Sequence, residues 1–360
     1  MNWPLGIAVI GLGIGEQHAR MYASLPSCEV KLLVDLDGTR AKNLAADFQG
    51  SDAGSDFDDA LSRDDVDVIS IASYDEAHFD QVMRALSAGK HVFVEKPLCR
   101  TEDELAQIKR ALDANPSLHL ASNMVLRGAE LYRWLREEIS TGAFGEVYAF
   151  DGDYLYGRLH KITEGWRHET DDYSVMLGGG IHMIDLMLWL TGQRPESVQA
   201  VGNQICTRDT AFQYDDFTAA TMTFRSGMVG RITANFGCMH RHQHVVRVFG
   251  TRKTFVLDDA GPRLMTARDP VMPGSAVAPV EPINLATKPA HKGALIPAFI
   301  EGIVQNKRPD AADLSASFDA IAIAAACDRA VESSSPVQLT YHDPDAKSTI
   351  RKTMDYRRGA

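Results

Sequence analysis

The sequence predicts an α/β protein of two parts, in which a doubly wound parallel sheet is followed by an α+β region with a mainly antiparallel sheet. Short β-rich runs alternate with amphipathic stretches between residue 5 and about residue 123, which is the pattern of βαβ units. Five further runs follow between residues 197 and 257 without intervening helices, and such short connections require antiparallel pairing. A chain of 360 residues with 45% apolar residues is large enough for two such domains.

The first half contains five predicted strands and two predicted helices. The strands are 6–10, 30–34, 68–72, 91–94 and 118–122. Residues 76–87 and 102–114 carry apolar side chains at helical spacing and stop near Gly89 and Pro116, two residue types that end helices. Strands that alternate with helices in this way are typical of nucleotide-binding sheets.

The predicted helices and strands do not alternate in the second half. Helices are predicted at 130–140 and near 181–190, with two closing helices near 293–305 and 314–331. The five helix-free runs are 197–206, 217–224, 228–236, 245–250 and 254–257. Residues 258–288, rich in proline and alanine, are predicted to form a long loop, and the polar segment after Tyr341 a loosely ordered tail.

Composition and charge exclude several classes of protein. The 37 lysines and arginines are outnumbered by 48 aspartates and glutamates, and the net charge of −11 argues against binding to nucleic acid. The five cysteines lie far apart and form no C-x-x-C pair, so we expect reduced thiols and no structural zinc site. The sequence shows no signal-peptide pattern and no apolar run of ~20 residues, so we expect a cytoplasmic protein that binds no membrane.

A glycine-rich turn joins the first predicted strand to the first helix. Its sequence is GLGIG at 11–15, which makes Gly11, Gly13, Ile14 and Gly15 candidate contacts of a bound dinucleotide. Glycine permits positive φ and lets a pyrophosphate approach the backbone N–H groups at a helix N-terminus. The spacing is G-x-G-x-G, so either the loop is one residue shorter than G-x-G-x-x-G or Glu16 occupies the third glycine's place. We favour the shorter loop because Gly15 still opens the helix.

An acidic residue closes the second predicted strand. Asp35 lies 20 residues after Gly15, where a carboxylate accepts hydrogen bonds from the adenosine ribose hydroxyls. Its negative charge would repel a 2′-phosphate, so the combination predicts NAD in preference to NADP. Arg40, five residues later, could contact a 2′-phosphate and keeps NADP open as the alternative.

Several further motifs occur in order along the chain. They are IASYDEAH at 71–78, EKP at 95–97, GGIHMID at 179–185 and VFGT at 248–251, after a glycine loop that is followed by His18. Together they resemble the glucose-fructose oxidoreductase, inositol dehydrogenase and rhizopine-catabolism (Gfo/Idh/MocA) family over almost the whole chain. The resemblance implies a Rossmann domain at 1–123, a substrate and oligomerisation domain with an open sheet at 124–340, and a tail at 341–360.

The resemblance also implies where the cofactor and the substrate lie. The substrate sits between the open sheet and the nicotinamide, with a motif lysine in that cleft. The further cofactor contacts that the resemblance implies are Ser73, His78, Glu95 and Lys96, beside the glycine loop, Asp35 and Arg40. The closing helices at 293–331 are expected to pack back on the first domain.

Two motif residues are candidates for acid–base catalysis. Oxidation of a secondary alcohol removes a hydride and a proton, so a side chain has to take the hydroxyl proton. A lysine held out of water beside a cationic ring releases its proton near neutral pH, which suits Lys96. The imidazole of His182 exchanges a proton at physiological pH, and Asp185, one helical turn later, could orient it or cap the helix.

The chain departs from the family at Gly178. Many relatives carry an aspartate four residues before the histidine, whereas this chain reads MLGGG at 176–180. Asp171 and Asp172 lie nearby but out of register, so the sequence leaves open what replaces the acid. We expect that Gly178→Asp does not rescue activity, and that it harms the fold if the backbone there needs positive φ.

Aromatic, arginine and asparagine side chains are expected to line the substrate cleft, since they suit a polyol or sugar. The candidate substrate contacts are Asn123, Arg127, Tyr154, Trp166, Arg167 and Asp185. Aromatic residues such as those among them are more often packing residues of a sheet than ligand contacts. Residues 240–244 (HRHQH) place three histidines on one face of a strand, but without a nearby carboxylate or cysteine pair we expect no metal.

The leading interpretation is an NAD-dependent dehydrogenase that oxidises a secondary hydroxyl, or reduces the ketone, of a sugar, sugar acid, cyclitol or nucleotide sugar. One alternative is an NAD-dependent glycosidase, which eliminates the glycosidic group after transient oxidation. Another is a non-catalytic NAD or sugar sensor, which Gly178 suggests and which Lys96 and His182 argue against. An open sheet exposes apolar surface, so we expect a homodimer or homotetramer packed through that face.

Overall fold

The structure is a computed structural model, and it describes residues 4–170, 172–268, 279–307 and 311–341, with side chains from residue 314 onward in the last segment. Three parts of the sequence prediction lie outside the described residues. They are Asp171, residues 269–278 of the predicted loop and the tail after Tyr341. None of the helices in these ranges is long and apolar enough to cross a membrane.

A six-stranded parallel sheet forms the first half of the fold. The sequence predicts a parallel sheet here with five strands and misses the short strand at Asp52–Gly54. The strands are β1 (Leu5–Ile10), β2 (Cys28–Val34), β3 (Asp52–Gly54), β4 (Val68–Ile71), β5 (His91–Val94) and β6 (Leu120–Ser122). The connecting helices are α1 (Gly15–Ala23), α2 (Gly38–Ala45), α3 (Asp58–Ser62), α4 (His78–Ser87) and α5 (Glu102–Ala114). The strand order β3-β2-β1-β4-β5-β6 reverses its direction between β1 and β4. In such sheets, ligands bind outside the carboxyl ends of the strands at this switch point.

Two helix caps fix the loops at this edge of the sheet. Helix α5 starts at a capping box, in which the Thr101 hydroxyl accepts from Glu104 N and the Glu104 carboxylate accepts from Thr101 N. The Asp37 side chain accepts hydrogen bonds from the first turn of α2. Because these caps follow the carboxyl ends of β5 and β2, they hold the loops that carry Lys96 and Asp35.

A nine-stranded sheet forms the second half and is mainly antiparallel. Its strands are β7 (Val147–Leu155), β8 (Pro195–Asn203), β9 (Phe217–Phe224), β10 (Val229–Asn235), β11 (Gln243–Gly250), β12 (Thr254–Asp258), β13 (Gly261–Met265), β14 (Val280–Pro282) and β15 (Val337–Gln338). Their order is β14-β13-β12-β11-β7-β10-β9-β8-β15. Neighbouring strands are antiparallel except β7 and β10, which run parallel.

Three strands of this sheet correct the sequence prediction. Strand β7 lies inside the sheet and escapes the prediction, because its sequence VYAFDGDYL mixes aspartates and a glycine with its buried residues. Strands β13 and β14 lie within residues 258–288, where we predict a loop. Backbone pairing of β13 to β12, and of β14 to β13, holds them in the sheet, although their composition is that of a loop.

The remaining helices join the two sheets. They are α6 (Glu130–Ser140), α7 (His160–Thr163), α8 (Ile181–Thr191), α9 (Ile296–Val304) and α10 (Ala311–Ser333). Helix α8 is buried along its whole length, and it lies so close to β7 that a Cβ on Gly152 would be 2.9 Å from Met183 Cβ. Helix α9 returns the chain to the first sheet, where Ile296 and Phe299 enter its core. Helix α10 contacts α5 and β6 as well as α8 and β8.

Candidate active site

The glycine-rich turn lies between β1 and α1, at the switch point of the first sheet. Gly11 has a φ of +79°, and a Cβ there would lie 2.5 Å from Ala72 O, so this position requires glycine. A Cβ on Gly13 would meet no protein atom within 4 Å, which leaves that side of the turn open. Ile14 is 38% exposed, and α1 begins at Gly15, in agreement with the shorter loop. The turn therefore has room for a dinucleotide pyrophosphate against its backbone.

The carboxylate of Asp35 faces this turn from the end of β2. One of its oxygens accepts from Leu12 N at 2.7 Å and the other from Asp37 N at 2.9 Å. Arg40 lies beside it, with 3.6 Å between Nη1 and Oδ2. A carboxylate has about four acceptor sites, so Asp35 keeps capacity for a ribose hydroxyl. The arrangement fits a cofactor whose ribose carries free hydroxyls.

The carboxyl end of β5 carries a buried polar network. His18 Nε2 lies 3.2 Å from Oε1 of Glu95, and Asn123 Nδ2 donates to the same oxygen at 2.6 Å. Burial by itself raises the pKa of Glu95, but His18, Asn123 and the charge of Lys96 together hold that pKa below its ordinary value. Oδ1 of Asn123 is buried and has no hydrogen-bond partner in the described chain, so it can accept from an N–H of a ligand.

Ser73 and His78 follow β4 and hold two loops together. The ring of His78 is fully buried, and its nitrogens lie 2.6 Å from Pro97 O and 3.2 Å from Ser73 O. Ser73 Oγ donates to Oε1 of Gln81 at 2.6 Å. Backbone carbonyls lie next to both nitrogens of His78, so its ring holds the protein together, and its expected contact with the cofactor stays a prediction. The ring links the loop after β4 to the loop that contains the cis Lys96–Pro97 peptide.

Lys96 and His182 come from different halves of the fold, and the charge of Lys96 acts on the imidazole of His182. Lys96 Nζ donates to Gly178 O at 3.0 Å. Gly178 belongs to a π-helical turn, Met176–Gly180, that leads directly into α8, and His182 is the second residue of α8. Burial lowers the pKa of His182 well below its usual range, and the charge of Lys96 lowers it further. The site therefore places a lysine beside a neutral imidazole.

The hydroxyl of Tyr173 occupies the space that a side chain at residue 178 would fill. A Cβ on Gly178 would lie 2.4 Å from that oxygen and 2.9 Å from Cζ. Gly178 does not have positive φ, so contact with Tyr173 is what requires glycine here, which corrects our expected reason. Burial raises the pKa of Tyr173 and keeps the phenol protonated. A neutral phenol thus stands where the sequence lacks an acid.

Two tyrosine rings and three histidine rings, that of His182 among them, form a wall of the site. Tyr154, on β7, stacks on His182 with ring centres 6.0 Å apart and on Tyr156 at 5.9 Å. The rings of His242 and His244 lie 5.3 Å and 5.4 Å from that of Tyr154. The wall follows from strand pairing, because β7 and β11 are neighbours and place Tyr154 opposite His244. We call these five rings the Tyr154 wall.

Trp166 and Arg167 lie on a short 3₁₀ turn, Trp166–His168. The ring of Trp166 is 5.3 Å from that of Tyr74, which follows β4, so the turn reaches the first half of the fold. The guanidinium carbon of Arg167 lies 4.5 Å from the centre of the Trp166 ring. A ligand held between the two sheets near Tyr74 would meet this pair.

Arg127 and Asp185 form a buried ion pair. They are 8% and 1% exposed, and Arg127 Nε donates to Oδ2 of Asp185 at 3.0 Å while Nη2 contacts Oδ1. Nη2 also donates to Ser317 Oγ on α10 at 3.3 Å. Both carboxylate oxygens of Asp185 are therefore bonded by Arg127. This pair joins α8 to the segment after β6, and the expectation that the two residues bind substrate stays a prediction.

The histidines of residues 240–244 do not converge on one point. His240 lies 3.0 Å from Oδ2 of Asp259, whereas His242 and His244 belong to the Tyr154 wall. In the described ranges, no group of three or more histidine, cysteine, aspartate or glutamate side chains is arranged to hold a metal ion. The two buried imidazoles are thus available for other contacts.

Several residues near the site escape the sequence reasoning, chiefly Tyr173, His242, His244 and Lys292. Lys292 N donates to Oε1 of Gln17 at 3.1 Å and its carbonyl accepts from Asn123 Nδ2 at 2.9 Å, which places Lys292 beside the Glu95 network. The alternating histidines at 240–244 are the one signal in the sequence, and they favour a solvated or cleft-facing strand end over a metal site. Tyr173 and Lys292 belong to no motif.

The open glycine turn and the acidic strand end at the switch point are typical of a dinucleotide-binding protein. Together with a lysine and a neutral histidine in the same region, they indicate an oxidoreductase. The chain belongs to the Gfo/Idh/MocA family of oxidoreductases. The family profile described as "Oxidoreductase family, NAD-binding Rossmann fold" matches residues 5–121. The profile described as "Oxidoreductase family, C-terminal alpha/beta domain" matches residues 136–339. The first sheet is therefore an NAD-binding Rossmann fold.

Characterised relatives are similar over most of the chain. The D-glucoside 3-dehydrogenase of Escherichia coli (strain K12) is 26% identical over 284 residues, which are 73% of this chain and 78% of that protein. The structure of myo-inositol 2-dehydrogenase from Lactobacillus plantarum has a TM-score of 0.78 at 20% identity, and the match covers 94% of this chain and 100% of the other. UDP-N-acetylglucosamine 3-dehydrogenase from Acidithiobacillus ferrooxidans has a TM-score of 0.75 at 25% identity, over 91% and 98% of the two chains.

Proposed function

We propose that the protein is an NAD-dependent dehydrogenase that oxidises a secondary hydroxyl, or reduces the ketone, of a sugar, sugar acid, cyclitol or nucleotide sugar. The observation that carries the proposal is the bond of Lys96 to Gly178, in the turn that leads into α8, together with the effect of the lysine charge on the buried His182. The glucoside, inositol and nucleotide-sugar dehydrogenases among its relatives support this class of substrate.

The residues at the switch point would hold the cofactor. The turn with Gly11 and Gly13 receives the pyrophosphate, Asp35 receives ribose hydroxyls, and Asn123 Oδ1 accepts an N–H near Lys96. When bound there, NAD supplies the hydride acceptor of the reaction.

His182 takes the hydroxyl proton, and Lys96 stabilises the oxygen that remains. Because burial keeps its imidazole neutral, His182 can accept a proton, which an imidazolium cannot. Lys96 Nζ directs one hydrogen to Gly178 O, so its other hydrogens can donate to the developing alkoxide. In the reverse direction, His182 returns the proton to the ketone oxygen.

A panel of sugars, polyols, sugar acids and nucleotide sugars, each incubated with NAD, tests the proposed function. We expect at least one compound to produce NADH, measured by its absorbance band, with saturable dependence on its concentration. Release of an aglycone without net NADH would instead indicate a glycosidase. Tight carbohydrate binding without turnover would indicate a sensor.

We expect Asp35→Asn to weaken NAD binding about tenfold and to improve NADP binding. The amide still accepts from Leu12 N, but the variant loses the charge that attracts ribose hydroxyls and repels a 2′-phosphate. Calorimetric titration with both cofactors measures the change, and Asp64→Asn, an exposed site in the same half, serves as the control. Tighter binding of NADP than of NAD by the native protein would show that our interpretation of Asp35 is wrong.

We also propose that copies of the chain associate through the face of the second sheet opposite α8. That face presents Val201 and Val229, which are 65% and 43% exposed, beside ion pairs of Arg231 with Asp151 and Asp153. Exposed apolar residues on an open sheet favour pairing with a second copy. Sedimentation velocity at micromolar concentration should give a dimer or tetramer, and a monomer would contradict the proposal.

A further inference from the structure

Five cationic side chains near the Tyr154 wall have no ion-pair partner. They are Lys96, Arg158, Arg167, Lys288 and Lys292, and within the described residues none of them lies within 4.0 Å of a carboxylate oxygen. The charge of Asp75 raises the pKa of Arg167, but the Asp75 carboxylate does not lie within 4.0 Å of the guanidinium. The chain has a net charge of −11, so most cations have an acid to pair with. A local group of unpaired cations therefore indicates a site for an anion.

Three of these cations act on the histidines at one end of the wall, and Arg158 also contacts it directly. The guanidinium carbon of Arg158 lies 5.6 Å from the centre of the Tyr156 ring, which is 5.4 Å from His242. The backbone of Lys292 is held against the first half of the fold by its bonds to Gln17 and Asn123, and Lys288 precedes it by four residues. Burial lowers the pKa of His242 to about 4, and the charges of Arg158, Lys288 and Lys292 contribute. These three cations thus lie close enough to act on one imidazole.

The imidazoles of His242 and His244 each have an unsatisfied nitrogen. Both Nε2 atoms are buried and have no hydrogen-bond partner in the part of the chain that the structure describes. Burial and the charges of His242, Lys292 and Lys288 lower the pKa of His244 to about 3, so both rings are neutral at neutral pH. A neutral imidazole nitrogen donates or accepts one hydrogen bond, and a hydroxyl can serve either role. A ring that carries hydroxyls would satisfy both atoms.

We propose that the substrate is an anionic carbohydrate, whose carboxylate or phosphate lies between Arg158, Lys288 and Lys292 while its hydroxyls bond to His242 and His244. This inference rests on the proposed dehydrogenase function, because it takes the reacting hydroxyl to lie at the neighbouring catalytic pair. A neutral sugar satisfies the imidazoles but leaves the three cations without a counter-charge. An acid pairs with them through charge-assisted hydrogen bonds and is also attracted to the site at long range.

Matched neutral and anionic compounds test the proposal. Glucose is compared with glucuronate and glucose 6-phosphate, galactose with galacturonate, and N-acetylglucosamine with its uridine diphosphate derivative, all with NAD at constant ionic strength. We expect kcat/KM for an anionic member to exceed that of its neutral partner at least about tenfold, and to fall as salt is added. The uronate and phosphate arms show which anion is preferred. Equal or better use of the neutral members would overturn the proposal.

Single charge removals test the location of the anion. Arg158→Gln, Lys288→Gln and Lys292→Gln should each raise KM for the anionic substrate about threefold to tenfold and leave kcat nearly unchanged. Their kcat/KM for the neutral partner should stay close to native. Arg225→Gln is the control, because this arginine is 92% exposed and follows β9 at the end of the sheet away from the Tyr154 wall. Equal losses for both kinds of substrate would exclude a specific anion site.

The failure of this inference and that of the proposed function give different results. If neutral carbohydrates reduce NAD and anionic ones are not preferred, the dehydrogenase stands and the anion site is wrong. If no carbohydrate reduces NAD, the proposed function fails. Calorimetric titration of the protein–NADH complex with each matched pair then still decides whether the site prefers the anion, because binding requires no turnover.

Discussion

Replacing Lys96 or His182 by alanine is expected to lower kcat for the physiological carbohydrate by about 10²–10⁴-fold. In the proposed reaction, His182 receives the hydroxyl proton and Lys96 stabilises the alkoxide, so both interactions strengthen as the bond to hydrogen breaks. The affinity for NAD should change far less, because the glycine turn and Asp35 hold most of the cofactor. The loss of His182 should be the larger one, since Gly178 provides no carboxylate that could help Lys96 replace it.

Two neighbouring exposed residues provide matched controls for these variants. His160 and Lys161 lie on α7, and their alanine variants should keep native turnover. Lys96→Arg should recover only a small part of the lost rate, because a planar guanidinium does not reproduce a compact ammonium group. Steady-state kinetics, NADH binding and thermal unfolding separate catalytic loss from misfolding. Near-native turnover in both alanine variants would remove the acid–base assignment and favour a cofactor-binding sensor.

Gly178→Asp is expected to destabilise the protein by about 1–3 kcal/mol and to lower turnover rather than to improve it. The new Cβ would lie 2.4 Å from the Tyr173 hydroxyl, so either the phenol or the π-helical turn has to move. Movement of the turn also displaces Gly178 O, which accepts the hydrogen bond of Lys96. The added carboxylate therefore disturbs the position of Lys96 instead of assisting its chemistry.

A double-mutant cycle isolates the contact with Tyr173. Gly178→Ala should cost clearly less stability in a Tyr173→Ala background than in the native protein, as measured by chemical unfolding. Gly13→Ala is the matched control, because a Cβ there meets no protein atom within 4 Å and should leave stability nearly unchanged while weakening NAD. If Gly178→Ala costs the same in both backgrounds, steric contact with Tyr173 is not the reason for the glycine.

The sequence predicts the first sheet well and the second sheet less well, for a physical reason. Strands covered by helices on both faces are continuous apolar runs, and β5 (His91–Val94) and α5 (Glu102–Ala114) coincide with their predictions. Strand β7 has one face on α8, and its other face carries Asp151 and Asp153. Those acids are stable in a strand because Arg231 on β10 pairs with them. Strand β10 is a neighbour of β7 in the sheet but lies far from it in the sequence, so a short stretch of sequence does not show the pairing.

The residues of the candidate site also differ in how well the sequence predicts them. Lys96 and His182 are predictable because each belongs to a short contiguous motif with its own chemistry. The hydroxyl of Tyr173 comes to lie next to Gly178 only through the fold of the intervening turn, and the bond between Arg127 and Asp185 joins residues 58 positions apart. Such pairings depend on how α8 packs against its neighbours, and no spacing rule in the sequence encodes them.

The complete burial of α8 has a consequence for how such an enzyme can evolve. All 11 residues of this helix are buried, so most substitutions along it disturb packing, and selection holds the position of His182. Arg158, Lys288 and Lys292 lie instead in exposed segments between regular elements, where substitutions cost little stability. A lineage can therefore exchange one substrate for another by drift in these segments while it inherits the same proton-transfer chemistry.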